Sequence, residues 1–168
     1  MIGQNSMHYL YPATLFVSTS PVQIHTILGS CVAVCLFDHV HKIGGMNHFM
    51  LPLWNGQGLA SPKYGNIAIN KLVSKMLSLG CLKNNLKAKV FGGSEVLGTE
   101  TNHFKIGERN IELALSMLKE LSIPVISSDM GGKQGRKIKF YTLTSEVTLK
   151  YIESTVNNIP DKTIKSKN

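Results

Sequence analysis

Leu28-Gly29-Ser30-Cys31-Val32-Ala33-Val34-Cys35-Leu36-Phe37-Asp38 opens on a glycine turn and runs straight into seven apolar residues, Cys31 to Phe37. A short apolar run bounded by turn signals has the pattern of a buried strand. It is far short of the roughly 20 apolar residues that span a bilayer. Lys42 to Leu51 has the composition of the return strand, so the two segments are expected to form a hairpin around His39 and Val40. Paired positions then sum to 79 for either a two-residue or a four-residue loop. His48 falls directly opposite Cys31 on the same face, with β-carbons about 4.5–5.5 Å apart. Gly44-Gly45 is the expected site of a β-bulge, which would shift that register by one.

Outward from this hairpin, Thr14 to Thr19 and Val22 to Leu28 read as short strands separated by Pro21. Downstream, Asn66 to Leu79 has helical periodicity, with Ile69, Leu72, Val73, Met76 and Leu77 on one face and Gly80 as the stop. Glu108 to Leu121 repeats the pattern with Ile111, Ala114, Leu115, Leu118 and Leu121, and Pro124 follows. Lys87 to Phe91 is a short strand between the helices, running into Gly92-Gly93. Val125 to Ser128, Ile138 to Thr142 and Glu146 to Ile152 are strands after them, the last with Val147, Leu149 and Tyr151 on one half-buried face. Strands at both ends and helices in the middle predict an α+β fold: stacked β-sheets with helices covering an outer face. With no repeat, low-complexity segment or linker, residues 1–160 are expected to form one domain. Residues 161–168, with Lys162, Lys165 and Lys167, are expected to be a basic, disordered tail.

An apolar share of 43% and a charged share of 17% place these 168 residues among globular rather than disordered chains. Met1 to Ser20 has no Lys or Arg ahead of its apolar residues, as a secretory signal would, so a cytoplasmic protein is expected. Three unevenly spaced cysteines make no disulfide framework; in a reducing compartment Cys31, Cys35 and Cys81 are free thiols. The net charge of +8 predicts an anionic partner. Five of the basic residues lie between Lys133 and Lys150.

The chemistry concentrates at Cys31. A cysteine that opens a strand directly after a glycine turn has backbone N–H groups beside it that are not yet committed to a ladder, the usual material of an oxyanion hole. A thiol facing an imidazole can form the nucleophile–base pair of a cysteine hydrolase, and contact with the ring would lower the thiol pKa and populate the thiolate. Plain packing accounts for a strand cysteine and a strand histidine equally well. Cys35 shares the Cys31 face but lies about 13 Å further along the strand, which excludes a disulfide between them and marks it as core. Cys81, just past a helix end, reads as structural. His39 and His41 form an H-x-H without a zinc-spaced partner set, and metal is set aside. Met130-Gly131-Gly132-Lys133-Gln134-Gly135-Arg136-Lys137 lacks P-loop spacing and leads into a strand rather than a helix. It reads as a tight connection shaping the site, with Arg136 and Lys137 facing an acidic substrate protein.

Thr26-Ile-Leu-Gly-Ser-Cys31-Val-Ala-Val-Cys-Leu-Phe-Asp38 resembles the active-site strand of the CheD family, the chemoreceptor glutamine deamidases. Gly44-Gly-Met-Asn-His48-Phe-Met-Leu-Pro52 resembles its histidine segment, at the family's 17-residue spacing. Lys63-Tyr-Gly65, Lys87-Ala-Lys-Val-Phe-Gly-Gly93, Ile106-Gly-Glu-Arg-Asn110 and Asp129-Met-Gly-Gly-Lys-Gln-Gly-Arg-Lys137 follow in the family's order, so the resemblance covers roughly Leu15 to Tyr151. It implies a fold similar to the cytotoxic-necrotizing-factor-like cysteine hydrolases and a Cys-His-Thr triad of Cys31, His48 and Thr26. Some members place the threonine six residues before the cysteine, where this chain has His25; Thr26 lies five before. The backbone at Gly29 and Ser30 is assigned to the oxyanion site, and Arg136, Lys137 and Asn47 to substrate contacts.

The resemblance further implies hydrolysis of glutamine side chains on the cytoplasmic domains of methyl-accepting chemotaxis receptors, through a thioester and without a cofactor. It also implies action on glutamyl methyl esters and a CheC-type phosphatase as a partner. A non-enzymatic chemotaxis regulator on the same fold would lack Cys31 or His48, and both are present. A nucleic-acid-binding module would interleave aromatics with its basic residues. Here only Phe140 and Tyr141 qualify, on opposite faces of one strand.

Overall fold

Residues 6–95 and 105–153 are described in the structure, a computed structural model. The strands are β1 (Ser6–Tyr9), β2 (Thr14–Ser18), β3 (Val22–Leu28), β4 (Val32–Asp38), β5 (Ile43–His48), β6 (Leu86–Gly92), β7 (Val125–Met130), β8 (Arg136–Tyr141) and β9 (Val147–Tyr151). Helix α1 (Gly65–Ser78) lies between β5 and β6, and α2 (Ile106–Glu120) between β6 and β7. The expected boundary near residue 160 and the tail 161–168 lie outside the described residues.

Two mixed sheets form, in the orders β1-β3-β8-β9 and β2-β5-β4-β6-β7. In the first, β1 runs parallel to β3; in the second, β7 runs parallel to β6; all other pairings are antiparallel. Ile24, Leu28, Ile138 and Phe140 of the smaller sheet pack on Ala33, Cys35, Phe37, Met46 and Phe91 of the larger. The other face of β4, with Val32, Val34 and Leu36, packs on Ile69, Leu72 and Met76 of α1 and Ala114 and Leu118 of α2. The layers are therefore sheet, sheet, helices, as the order of elements predicted. β4 is the middle strand of the middle layer and every residue in it is buried, which is why it reads as an unbroken apolar run rather than an alternating one. Among the described residues no helix is long and apolar enough to cross a membrane.

The β4–β5 hairpin departs from the expected register. Cys35 pairs with Met46, Leu36 with Gly45, Phe37 with Gly44 and Asp38 with Ile43, so paired numbers sum to 81 rather than 79. The cause is the turn. Asp38 Oδ1 accepts the N–H groups of Val40 and His41 at 2.9 and 3.0 Å, which anchors a four-residue loop, His39 to Lys42, one position further along the chain. Lys42 closes it at φ +54°. Gly44-Gly45 is not a bulge, since pairing continues through both. Close packing requires them instead: a Cβ on Gly45 would lie 2.6 Å from Val17 Cγ2, and one on Gly44 3.0 Å from Thr142 Cα.

Candidate active site

With the register displaced by two, His48 is not directly opposite Cys31. A shift of two preserves the face, however. Cys31 packs at the edge of the inter-sheet core, on the side that Ala33 and Cys35 occupy. His48, in step with Met46, points to that side as well. The two are diagonal neighbours at the open end of the hairpin: Cys31 half-buried before the first residue of β4, His48 at 2% exposure on the last residue of β5.

Thr26 comes from the opposing sheet. β3 alternates, with His25 outward, edge-on to Tyr9 at a ring separation of 5.2 Å, and Thr26 inward at 1% exposure. Thr26 Oγ1 lies 2.7 Å from the Leu10 carbonyl and 2.8 Å from His48 Nδ1. A hydroxyl has one proton, and the carbonyl can only accept it. Thr26 Oγ1 therefore accepts from His48 Nδ1–H, which leaves the Nε2 lone pair free. His48 Nε2 is buried and has no hydrogen-bond partner among the described residues. Burial pushes the imidazole pKa down to about 4, only partly offset by the Leu10 carbonyl, so the ring is neutral at physiological pH. The resting site thus presents an imidazole of defined tautomer with an unoccupied basic nitrogen.

The expectation of a thiolate stabilised by ring contact is not met. Burial raises the Cys31 thiol above its ordinary value, offset in part by its own backbone N–H. With the thiol raised and the imidazole lowered, both groups are neutral in the resting state. Cys35, fully buried in the inter-sheet core, is pushed far higher by desolvation. Cys81, also buried, is raised to about 11 by burial and then by Asp38.

The backbone before β4 is held on one side and open on the other. Val32 N–H enters the ladder by donating to the Phe49 carbonyl at 3.1 Å. Among the described residues the N–H groups of Gly29, Ser30 and Cys31 donate to no backbone carbonyl. Their carbonyls are all engaged. Gly29 O accepts from Ser94 N and Oγ at 3.0 and 2.9 Å, Ser30 O from Asn110 Nδ2 at 2.9 Å, and Cys31 O from Gly93 N at 2.9 Å.

Two expected substrate contacts are corrected. Arg136 is 3% exposed. Its Nε donates to Asp129 Oδ1 at 2.7 Å and its Nη2 to the Gly131 carbonyl at 2.8 Å, and its guanidinium lies 5.5 Å from the Tyr151 ring centre. Its charge is spent inside the fold, because the connection from β7 to β8 folds back over it. Asn47 is fully buried, and its Oδ1 accepts the Val34 N–H at 2.9 Å just before the regular β4–β5 ladder begins. Lys137 is different: it is exposed on the outer face of the small sheet, directly across from Lys150 and beside Ile27. Lys139 follows on the same face. None of these three lysines has an acidic partner among the described residues. Among those residues, too, no group of three or more His, Cys, Asp or Glu is arranged to hold a metal.

Ser94 and Asn110 were not legible as site residues. Asn110 did leave a signal: it sits in the buried stripe of α2 with Gly107, Ala114 and Leu118, where an apolar residue would be expected.

The CheD family model, described as CheD chemotactic sensory transduction, matches residues 50–151. Longer similarities reach across the candidate site. A protein of Trichlorobacter lovleyi named probable chemoreceptor glutamine deamidase CheD is 53% identical over 142 residues, 84% of this chain and 88% of its own. Proteins with the same name from Sulfurimonas denitrificans and Rhodospirillum rubrum are 48% identical over 148 residues and 40% over 156. Those alignments take in 88% and 93% of this chain and 95% and 88% of the relatives. Identity at this level over nearly the whole length of both partners means that the chain belongs to the CheD family.

Proposed function

We propose that this chain is a chemoreceptor glutamine deamidase that hydrolyses glutamine side-chain amides of methyl-accepting chemotaxis receptors to glutamate, with Cys31 as nucleophile, His48 as base and Thr26 as the residue that orients the ring. The observation that carries it is the Thr26–His48 hydrogen bond of 2.8 Å, which leaves a free Nε2 lone pair on the face that Cys31 occupies. His48 Nε2 takes the thiol proton as Cys31 Sγ attacks the carboxamide carbon. The oxygen of the tetrahedral intermediate lies against the uncommitted N–H groups of Ser30 and Cys31. The imidazolium returns its proton to the amide nitrogen, the C–N bond breaks and ammonia leaves a thioester. Water then gives a proton to Nε2 as its oxygen attacks the thioester carbon; the C–S bond breaks, the imidazolium returns the proton to the Cys31 sulfur, and glutamate is released. A glutamyl methyl ester follows the same course with methanol as leaving group. No step calls for a cofactor.

Lys137, Lys139 and Lys150 form the surface that meets the acidic receptor bundle. Lys137 and Lys150 are directly cross-strand, a like-charge juxtaposition that weakens a sheet and that an anionic partner relieves. We further assign the protein to the cytoplasm, where the receptor signalling domains lie, and infer fold kinship with the cytotoxic-necrotizing-factor deamidases from the family resemblance and the stacked sheets. A CheC-type phosphatase belongs to the same proposal, as a regulator implied by the family.

Intact mass of a receptor cytoplasmic fragment tests the assignment, since each glutamine converted adds about one dalton. Conversion is expected with the wild type and with Cys35→Ala, and not with Cys31→Ala. Conversion by Cys31→Ala sinks the nucleophile assignment. A folded wild type that converts no receptor sinks the deamidase.

A further inference from the structure

The loop Gly29 to Cys31 presents N–H groups in a fixed direction although it belongs to no strand, and the residues that fix it lie far away in sequence. Every described peptide bond is trans, so the C=O and N–H of one peptide unit point in opposite directions. Holding the Gly29 carbonyl therefore aims the Ser30 N–H, and holding the Ser30 carbonyl aims the Cys31 N–H. Ser94 makes the first attachment through its N–H and hydroxyl, Asn110 the second through Nδ2. Asn110 Nδ2 also donates to the Met50 carbonyl at 3.0 Å, two residues beyond His48. One side-chain amide thus ties the nucleophile's loop to the chain that carries the base.

The surrounding sequence is shaped to let this short side chain reach. A Cβ on Gly107 of α2 would collide with the Gly93 carbonyl, and one on Gly93 would collide with Ile111. With glycine at both positions, the first turn of α2 comes to rest directly on the end of β6. Asn110 is fully buried on the apolar face of that helix and its Oδ1 has no partner among the described residues. A buried, half-satisfied amide is a cost that packing alone does not require. Arg136 Nη1, 3.5 Å from Ser94 Oγ, stands behind the other attachment.

We infer that Asn110 and Ser94 are positioning residues of the deamidase, which build the oxyanion site by fixing the Ser30 and Gly29 carbonyls and so aiming the Cys31 and Ser30 N–H groups at the developing oxyanion. This rests on the deamidase assignment above. It separates two steps that a general weakening of the site would not: stabilising an oxyanion, and making the sulfur available.

Two rates measured side by side on the full chain, as wild type, Asn110→Ala and Ser94→Ala, test this. One is deamidation of a receptor fragment, resolved into kcat and KM. The other is alkylation of Cys31 by iodoacetamide, a displacement at carbon that forms no oxyanion, read by mass in a Cys35→Ala, Cys81→Ala background. Asn110→Ala is expected to lower kcat about a hundredfold, and Ser94→Ala, which keeps its backbone N–H to Gly29, about tenfold. KM and the alkylation rate should stay within about twofold of wild type. Equal kcat in variants and an active wild type overturns the inference alone. So does a parallel fall of kcat and alkylation, which would mark both residues as merely structural. If Asn110→Ala does not fold, Ser94→Ala decides by the same criteria. A wild type that is alkylated but deamidates nothing overturns the deamidase assignment, and the inference falls with it.

Discussion

The two ends of β4 are held in opposite ways. At the hairpin tip, Asp38 gathers loose donors: the N–H groups of Val40, His41 and Leu82, the His41 ring at 2.9 Å and the Asn85 amide at 3.5 Å. At the other end the carbonyls are gathered instead, by Ser94, Asn110 and Gly93, and the N–H groups before the strand are left open among the described residues. Both ends have a histidine within reach of the strand, but among the described residues only at the second is a ring nitrogen both buried and unpartnered. A strand end whose donors are all satisfied contributes stability. One whose acceptors are satisfied and whose donors are not is prepared for an anion.

If that contrast is right, the ends respond to damage in different currencies. The largest effect on stability belongs to the tip. Asp38→Ala leaves several donors without their acceptor, two of them in the turn that sets the register, and should cost about 3 kcal/mol. Urea denaturation measures this. Deamidation at a temperature where the variant is folded should stay close to wild type. A variant as stable as wild type, or one folded but inactive, would erase the distinction.

Acid separates the two ends next. Burial alone would raise the Asp38 carboxyl, but the backbone and ring of His41 and the Leu82 N–H more than offset it and hold it below its ordinary value. Its contribution is therefore present above about pH 4 and lost only below that. His48 behaves differently. Its folded pKa of about 4 lies below an unfolded value near 6.5, so the unfolded chain binds the extra proton first. Stability is complete above pH 6.5 and falls as pH drops toward 4, by about 3 kcal/mol in all. Comparing urea midpoints at pH 7 and pH 4.5, the wild type should lose much of this amount and His48→Gln should lose far less. Equal losses would mean that His48 is not buried neutral.

The same contrast explains what could be read from the sequence. The two helices follow from 3.6-residue periodicity and β9 from alternation, because each buries one face. β4 was recognisable because burial on both faces leaves it no polar residue before Asp38. The register was not. It turns on Asp38 accepting from the Val40 and His41 N–H groups, an Asx-type turn that the hydrophobic pattern of the flanking runs does not encode. β1 was missed because Ser6-Met7-His8-Tyr9 has neither alternation nor β-branched residues and is a strand only by pairing parallel to β3. At the site, Cys31 and His48 kept their common face because an error of two preserves parity. Arg136 was misjudged because charge alone does not reveal that Asp129, seven residues earlier, folds back onto it.

Thr26 gives the smallest expected effect and the sharpest test of the open end. It contributes neither charge nor nucleophile, only an acceptor for Nδ1–H made available because its own proton goes to the Leu10 carbonyl. Thr26→Val preserves shape and removes that acceptor, freeing the ring to adopt the other tautomer and to turn. A base presented correctly only part of the time should lower kcat about ten- to a hundredfold with KM little changed. Thr26→Ser, which restores the oxygen without the methyl group, should recover most of the rate. His25→Ala removes a side chain that faces away from the core, beside Lys139 on the outer surface of the small sheet, and should leave kcat alone. If valine at position 26 works as well as threonine, the hydroxyl only satisfies the Leu10 carbonyl. The Nδ1–H tautomer, and with it the free lone pair on Nε2, would then be held by the Leu10 carbonyl, which also acts on the ring, rather than by Thr26.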